Sequence, residues 1–207
     1  MGRRSTHTPE QLRELIIRSA HDIIAENGLG GMSAREIARR IGYSPGTLYN
    51  LFDSLDDLVL QVEALLLDSL DQRLSELPNE NSSDTQLNRI ARTYLSFGRD
   101  HPNLWNLISQ HEIPPDMPIP SWYTERLERL VSRIEEALAL QLPTGRDNPD
   151  SLKRSARVLW AGLHGLTSLS TTKKLSSLAG NSADALVDEL VNTYLAGLQK
   201  RGTGRQP

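Results

Sequence analysis

The 207-residue chain has no cysteine, so neither a disulfide framework nor a thiolate-held metal is open to it. It has no apolar run near the roughly 18 residues that a membrane-spanning helix needs. Its opening residues, MGRRSTHTPE, lack the apolar core of a secretory leader, and the cytoplasm is the expected location. Charge of one sign is also missing: 23 basic residues face 26 acidic ones, a net charge of −3, which argues against general affinity for polyanions. The distribution is uneven. Residues 1–52 hold seven arginines and five carboxylates, a net +2, and the rest holds sixteen basic and twenty-one acidic residues, a net −5. A mildly basic end on an acidic body suits a local phosphate-facing surface. No nucleophile–base pair, glycine-rich phosphate loop or metal-ligand spacing is found, so an all-α enzyme or cofactor-binding bundle, the alternative from another class, has no chemistry to point to.

What is present is helical periodicity with cap signals from end to end, which predicts an all-α chain of about nine helices. Thr8-Pro9 opens the first helix, with Leu12, Leu15, Ile16, Ala20, Ile23 and Ile24 as its buried stripe, and Asn27-Gly28 closes it. Ser33 and Glu36 have capping-box spacing ahead of the second. Ser54 with Asp57 opens a long fourth helix that Pro78 breaks, and Ser83 with Gln86 is read as the cap of a fifth ending near Asp100. A short sixth helix begins at Pro102. Residues 113–120, IPPDMPIP, carry four prolines and are read as an extended loop. The seventh helix runs over about 121–140, the eighth opens at Asn148-Pro149, and the ninth at Ser182.

The most informative stretch is 33–52, SAREIARRIGYSPGTLYNLF. A helix-turn-helix needs a small residue where its helices touch, a glycine at the turn and apolar residues holding the second helix on the first. Ala38, Gly42, and the set Ile37, Ile41, Leu48 and Leu51 meet those needs, and Ser44 with Pro45 reads as N-cap and first helical residue. The second helix of such a motif enters the DNA major groove with its N-terminal residues toward base edges. That makes Ser44, Pro45, Gly46, Thr47, Tyr49 and Asn50 the candidate DNA-facing residues, with Ser33 on phosphate and Arg35 placed for a base contact beside the helix. Residues 44–52 contain no Arg or Lys, so hydroxyl, methyl and backbone contacts are expected instead of bidentate guanine recognition. For Tyr49, packing between helices is the alternative role. Arg3 and Arg4 are either an arm into the neighbouring groove or a solvated tail.

The segment from Thr8 to about Leu66 resembles the tetracycline-repressor (TetR) family of bacterial transcriptional regulators. Ala20, Gly28, Ser33, Ile37, Ala38, Gly42, Tyr43, Ser44, Gly46, Thr47, Leu48, Tyr49, Phe52, Ser54 and Leu58 carry the likeness. HPNLWNLI at 101–108 and LWAGLHGL at 159–166 look like a subgroup with a Trp…His-Gly signature, here Trp160, His164 and Gly165. The resemblance implies a DNA-binding domain over 8–68 and an effector-binding and dimerisation domain over 69–201. It further implies a homodimer on a palindromic double-stranded operator, acting as a repressor under the control of a small molecule. Many members carry a Lys directly after the Ser that caps the fourth helix; here it is Leu55, which removes a phosphate contact that Arg35, Arg39 or Arg40 would have to replace.

In the C-terminal part, Ala161, Gly165, Ser168 and Thr172 form a small-residue stripe on the eighth helix, and Leu186, Leu190, Tyr194 and Leu198 an apolar seam on the ninth. Two such helices from each of two subunits would build the four-helix interface that the family likeness implies; packing within one chain is the alternative. Phe97, Trp105, Trp122, Trp160 and His164 are candidates to line an interhelical cavity for a hydrophobic or aromatic ligand, each with a plain core role as its alternative. Trp160 and His164 stand at i and i+4 and share a helix face. No cofactor is expected, and His101 and His111 lack the spacing of metal ligands.

Overall fold

The computed structural model describes residues 7–78, 85–142, 149–172 and 182–203. These form nine α-helices and no strand: α1 (Pro9–Asn27), α2 (Ala34–Ile41), α3 (Gly46–Tyr49), α4 (Leu55–Ser75), α5 (Gln86–Asp100), α6 (Pro102–Gln110), α7 (Ser121–Ala139), α8 (Pro149–Thr171) and α9 (Ala183–Thr203), with a 3-10 turn at Leu29–Gly31. The chain divides into two compact units, Met1–Leu66 with His101–Ile119 and Leu67–Asp100 with Pro120–Pro207.

In the first unit, a complete capping box opens α1. The Thr8 hydroxyl accepts from the Gln11 N–H at 3.2 Å, and the Gln11 side chain accepts from the Thr8 N–H at 2.9 Å. Leu12, Ile16, Ala20, Ile23 and Ile24 are buried as the periodicity requires, while Leu15 is half-buried. The box at Ser33 is only half made: its hydroxyl accepts from the Glu36 N–H at 3.1 Å, but the Glu36 carboxylate turns to two arginines instead of back to the cap. Gly42 ends α2 at φ 75°, ψ 29°, a left-handed conformation that favours glycine, and the N–H groups of Gly42 and Tyr43 both reach the Ala38 carbonyl.

The α6 helix belongs to this first unit, although it falls within the expected 69–201 segment, and packs against α1. Leu104, Trp105 and Leu107 are buried, and the Asn103 amide donates to the Ala25 carbonyl at 2.8 Å. The apolar period of a nine-residue helix says that one face is covered, not by which neighbour. The proline loop after it is not wholly extended, since the Met117 N–H closes a turn on the Pro114 carbonyl at 3.0 Å.

The second unit packs α5, α7, α8 and α9 with the last turns of α4. Side-chain forks set the register. Arg126 and Arg129 of α7 share Asp68, Arg133 reaches Asp71, and Arg92 and Arg99 of α5 pair bidentately with Asp188 and Asp184 of α9. Such exposed pairs add little stability each; their worth is in fixing which turn faces which. A Cβ at Gly162 of α8 would stand 3.0 Å from Leu190 Cδ2, so the glycine is what allows α9 this close. Thr85 caps α5 by accepting from the Asn88 N–H at 3.2 Å; Ser83 and Asn148, the expected caps, lie outside the described residues. Ser182 caps α9 as expected, its hydroxyl accepting from the Ala185 N–H at 3.2 Å.

Candidate nucleic-acid interface

The short helix α2 packs on α1 and α3 on α2, with Ile37, Ala38, Leu48 and the following Phe52 all buried. Burying Leu48 turns its helix neighbours outward. Ser44, Pro45, Gly46, Tyr49 and Asn50 are exposed and Thr47 is half-buried. Tyr49 is 56% exposed, which answers the packing alternative for that residue.

Ser44 does not act as the expected side-chain cap. Pro45 already has helical dihedrals (φ −57°, ψ −32°) and takes the cap position, while the Ser44 hydroxyl pairs with the Thr47 hydroxyl at 3.0 Å. In a helix of one turn the bonds run three residues back, from Thr47 to Ser44 and from Leu48 to Pro45, so the N–H that Ser44 would cap is already spoken for. At Gly46, a Cβ would meet only Ser44 Oγ, at 3.9 Å; no contact among the described residues requires glycine there.

The charge pattern beside α3 is specific. Glu36 accepts from Arg39 at 2.6 and 2.8 Å and from Arg40 at 3.0 Å, and these bonds hold its carboxyl down to about 2. Arg40 also forks onto Glu26 at the end of α1, at 2.6 and 3.1 Å. Arg39 and Arg40 are therefore ion-paired, and of the three candidates to replace the contact missing at Leu55, Arg35 alone is exposed with no hydrogen bond or ion pair among the described residues. Arg3 and Arg4 lie outside the described residues.

Two further arrangements in this unit have no local sequence signal. Arg13 of α1 donates from Nη1 to the Leu51 carbonyl at 2.6 Å, and its guanidinium carbon lies 4.3 Å from the centre of the Phe52 ring. His111, just past α6, contacts Glu63 through Nδ1 at 2.9 Å and Asp56 through Nε2 at 3.3 Å.

The second unit brings only part of the expected ligand set together. Trp160 and His164 stack side by side on α8, ring centres 5.8 Å apart, and His164 Nδ1 is 3.2 Å from the Tyr94 hydroxyl of α5. Burial lowers the pKa of His164 and raises that of Tyr94, so both are neutral near pH 7. Trp160 Nε1 and Thr167 Oγ1 are buried without a hydrogen-bond partner among the described residues. The Trp160 side chain favours the Tyr94 anion, against the larger effect of burial. Phe97 is core, Trp122 lies edge-on to Tyr123 with Arg126 over its face, and Trp105 belongs to the first unit. A cleft of about 430 Å³ runs between α7 and α8; of the expected set only Trp160 lines it, beside Leu127, Val131, Lys153 and Arg157. On the outer face, Ala161 and Gly165 are exposed together with Val158 and Leu169, and Ser168, Leu186, Leu190 and Tyr194 are half-buried.

Residues 16–62 match the family model described as bacterial regulatory proteins, tetR family, and residues 87–194, more than half of the chain, match the tetracyclin repressor-like C-terminal domain. The chain belongs to the TetR family. It is accordingly a DNA-binding transcriptional regulator, and the C-terminal match spans Trp160 to Gly165 without assigning the Trp-His-Gly subgroup. Over 201 residues the TetR chain is 24% identical to the uncharacterized HTH-type transcriptional regulator Rv0681 of Mycobacterium tuberculosis, covering 97% of this chain and 88% of that one. Its fold is shared with BioQ, solved with its natural double-stranded DNA operator (TM-score 0.61, 16% identity, 89% of this chain and 98% of that). It is shared equally with the regulator FadR from Bacillus subtilis, solved with stearoyl-CoA (TM-score 0.60, 18% identity, 89% and 98%). Among the described residues, no helix of the TetR protein is long and apolar enough to cross a membrane.

Proposed function

We propose that this TetR protein is a cytoplasmic, homodimeric repressor that reads its operator with α3 and is released or engaged by a hydrophobic or aromatic ligand held in the second unit. The observation that carries the DNA reading is the outward face of α3: a 56% exposed tyrosine and a glycine that no contact among the described residues requires, above a buried Leu48. A glycine there lets DNA backbone or base edges come close to the helix. Ser33, Arg35, Thr47 and Asn50 complete the proposed contact set. The BioQ complex with its operator supports the mode, on a shared fold.

For the ligand, the support is the neutral polar group on the inner face of α8, where Trp160 and Thr167 carry buried donors in search of acceptors and Tyr94 and His164 are desolvated. The FadR complex with an acyl-CoA supports an apolar ligand class. The exposed small-residue face of α8 and the apolar seam of α9 are the proposed dimer surface, and α4, whose residues are divided between the two units, is the proposed route of coupling. The enzyme alternative leaves the first unit unexplained. A gel-shift with the DNA flanking the protein's own gene, followed by duplexes selected from a random library, tests the first half of this reading. A thermal-shift screen tests the second, since a native-state binder raises stability by mass action.

A further inference from the structure

We propose that Arg13 is the positioning residue of the DNA-reading helix: from α1 it clamps the C-terminal end of α3, and discrimination between DNA sequences depends on that clamp. The inference rests on the reading of α3 given above. With four residues from Gly46 to Tyr49, α3 is far shorter than a helix that holds itself in water, and glycine, threonine and tyrosine are poor helix formers. Something outside it must define its end. The last carbonyls of a helix have no partner within it. Here the Leu48 carbonyl accepts from both Leu51 and Phe52, and the Leu51 carbonyl, two residues past the end of the helix, accepts from Arg13 at 2.6 Å. That bond brings a positive charge to the negative end of the turn.

The same guanidinium lies over the following side chain, its carbon 4.3 Å from the Phe52 ring centre. One planar group thus holds both the backbone and the ring, a pairing that a lysine ammonium cannot reproduce. The clamp has a rigid base, because Leu12 and Ile16, on either side of Arg13, are buried in the α1 core. The α3 turn is then fixed at two points, Leu48 beneath and Leu51 at the end, and the exposed Tyr49 and Asn50 lie between them. A side chain that reads base edges must be held to a fraction of an ångström, whereas a phosphate contact tolerates more play.

The experiment uses full-length Arg13→Lys and Arg13→Gln with two probes at fixed salt: a duplex selected by the native protein from a random library, and a scrambled duplex of the same length and composition. Both variants should bind the selected duplex about tenfold or more weakly and the scrambled duplex within about twofold of the native protein. Amide exchange should quicken at Leu51 and Phe52 while the α1 amides keep their protection. Equal loss on both duplexes with a salt slope reduced by about one would mean that Arg13 contacts phosphate directly, and would overturn the proposal. So would unchanged selectivity, or cooperative loss of the fold in both variants. If the native protein selects no duplex, the reading of α3 fails first, while faster exchange at residues 51 and 52 still supports the clamp and unchanged exchange refutes it.

Discussion

Removing His111 should cost the first unit several kilocalories, and the cost should depend on pH in a way that identifies its origin. The ring is 5% exposed and the Glu63 side chain facing its Nδ1 is 2% exposed, with Asp56 at Nε2. Carboxylates accept, so with both ring nitrogens facing them the arrangement favours the doubly protonated imidazole. The hydrogen bond to Glu63 raises the pKa of His111 above its ordinary value, against the opposing effect of burial, and Asp56 adds to the rise. In His111→Ala the Glu63 carboxylate loses the imidazolium in a site nearly closed to water. Removing one partner of a buried ion pair costs about 3–5 kcal/mol. A loss of about 3 kcal/mol corresponds to a fall of roughly 6–12 °C in Tm for a chain of this size. A group whose folded pKa is raised contributes stability in full below its unfolded pKa of about 6.5 and loses it as pH rises through the folded value. The native protein's advantage over His111→Ala is therefore largest near pH 6 and shrinks above it, by at most about 1.4 kcal/mol per pH unit. Urea unfolding at a series of pH values, followed by tryptophan fluorescence with Trp105 reporting on this unit, measures the difference directly. Parallel pH profiles for the two proteins, or a cost below about 1 kcal/mol at pH 6, would refute the assignment of a buried ion pair.

Gly162→Val should destabilise by about 1–3 kcal/mol through overpacking against Leu190, and Leu190→Ala in the same background should recover part of it in a denaturation cycle. Thr47→Ala and Tyr49→Ala should each weaken operator binding by about 1–3 kcal/mol at fixed salt with an unchanged melting curve; unaltered affinity in both would remove α3 from the interface. Gly165→Glu, at an exposed position with no neighbour within 4 Å, should leave the fold intact and yield a 23.1 kDa monomer by light scattering. A Gly165→Glu dimer would place the subunit contact elsewhere.

How much was legible in the sequence follows from how far apart the partners lie. Thr8, Ser54 and Ser182 act on amides three residues away, and the sequence carries the whole of such an interaction. The same holds for Gly42, where a left-handed residue ends α2, and for the apolar rows that bury Ile16 and Leu48. The half-made box at Ser33 marks where the local rule gives way. Glu36 has the right spacing to reach back, yet Arg39 and Arg40 offer charged donors on its own helix, and Arg40 is held in place by Glu26, fourteen residues away. Charge-assisted bonds outcompete a neutral N–H.

The same reasoning accounts for the parts of the site that pattern did not reach. Trp105 and Trp160 are alike as residues, but one is buried on α6 in the first unit and the other lines a cleft of the second, and composition cannot separate them. Arg13 looks like any solvent-facing arginine of an amphipathic helix; its partner, the Leu51 carbonyl, is 38 residues on and is a backbone group, which no side-chain motif encodes. The turn proposed to read DNA thus has contact residues that are written locally, while the residue proposed to hold its end is supplied by a different helix through contacts that exist only once the helices have packed.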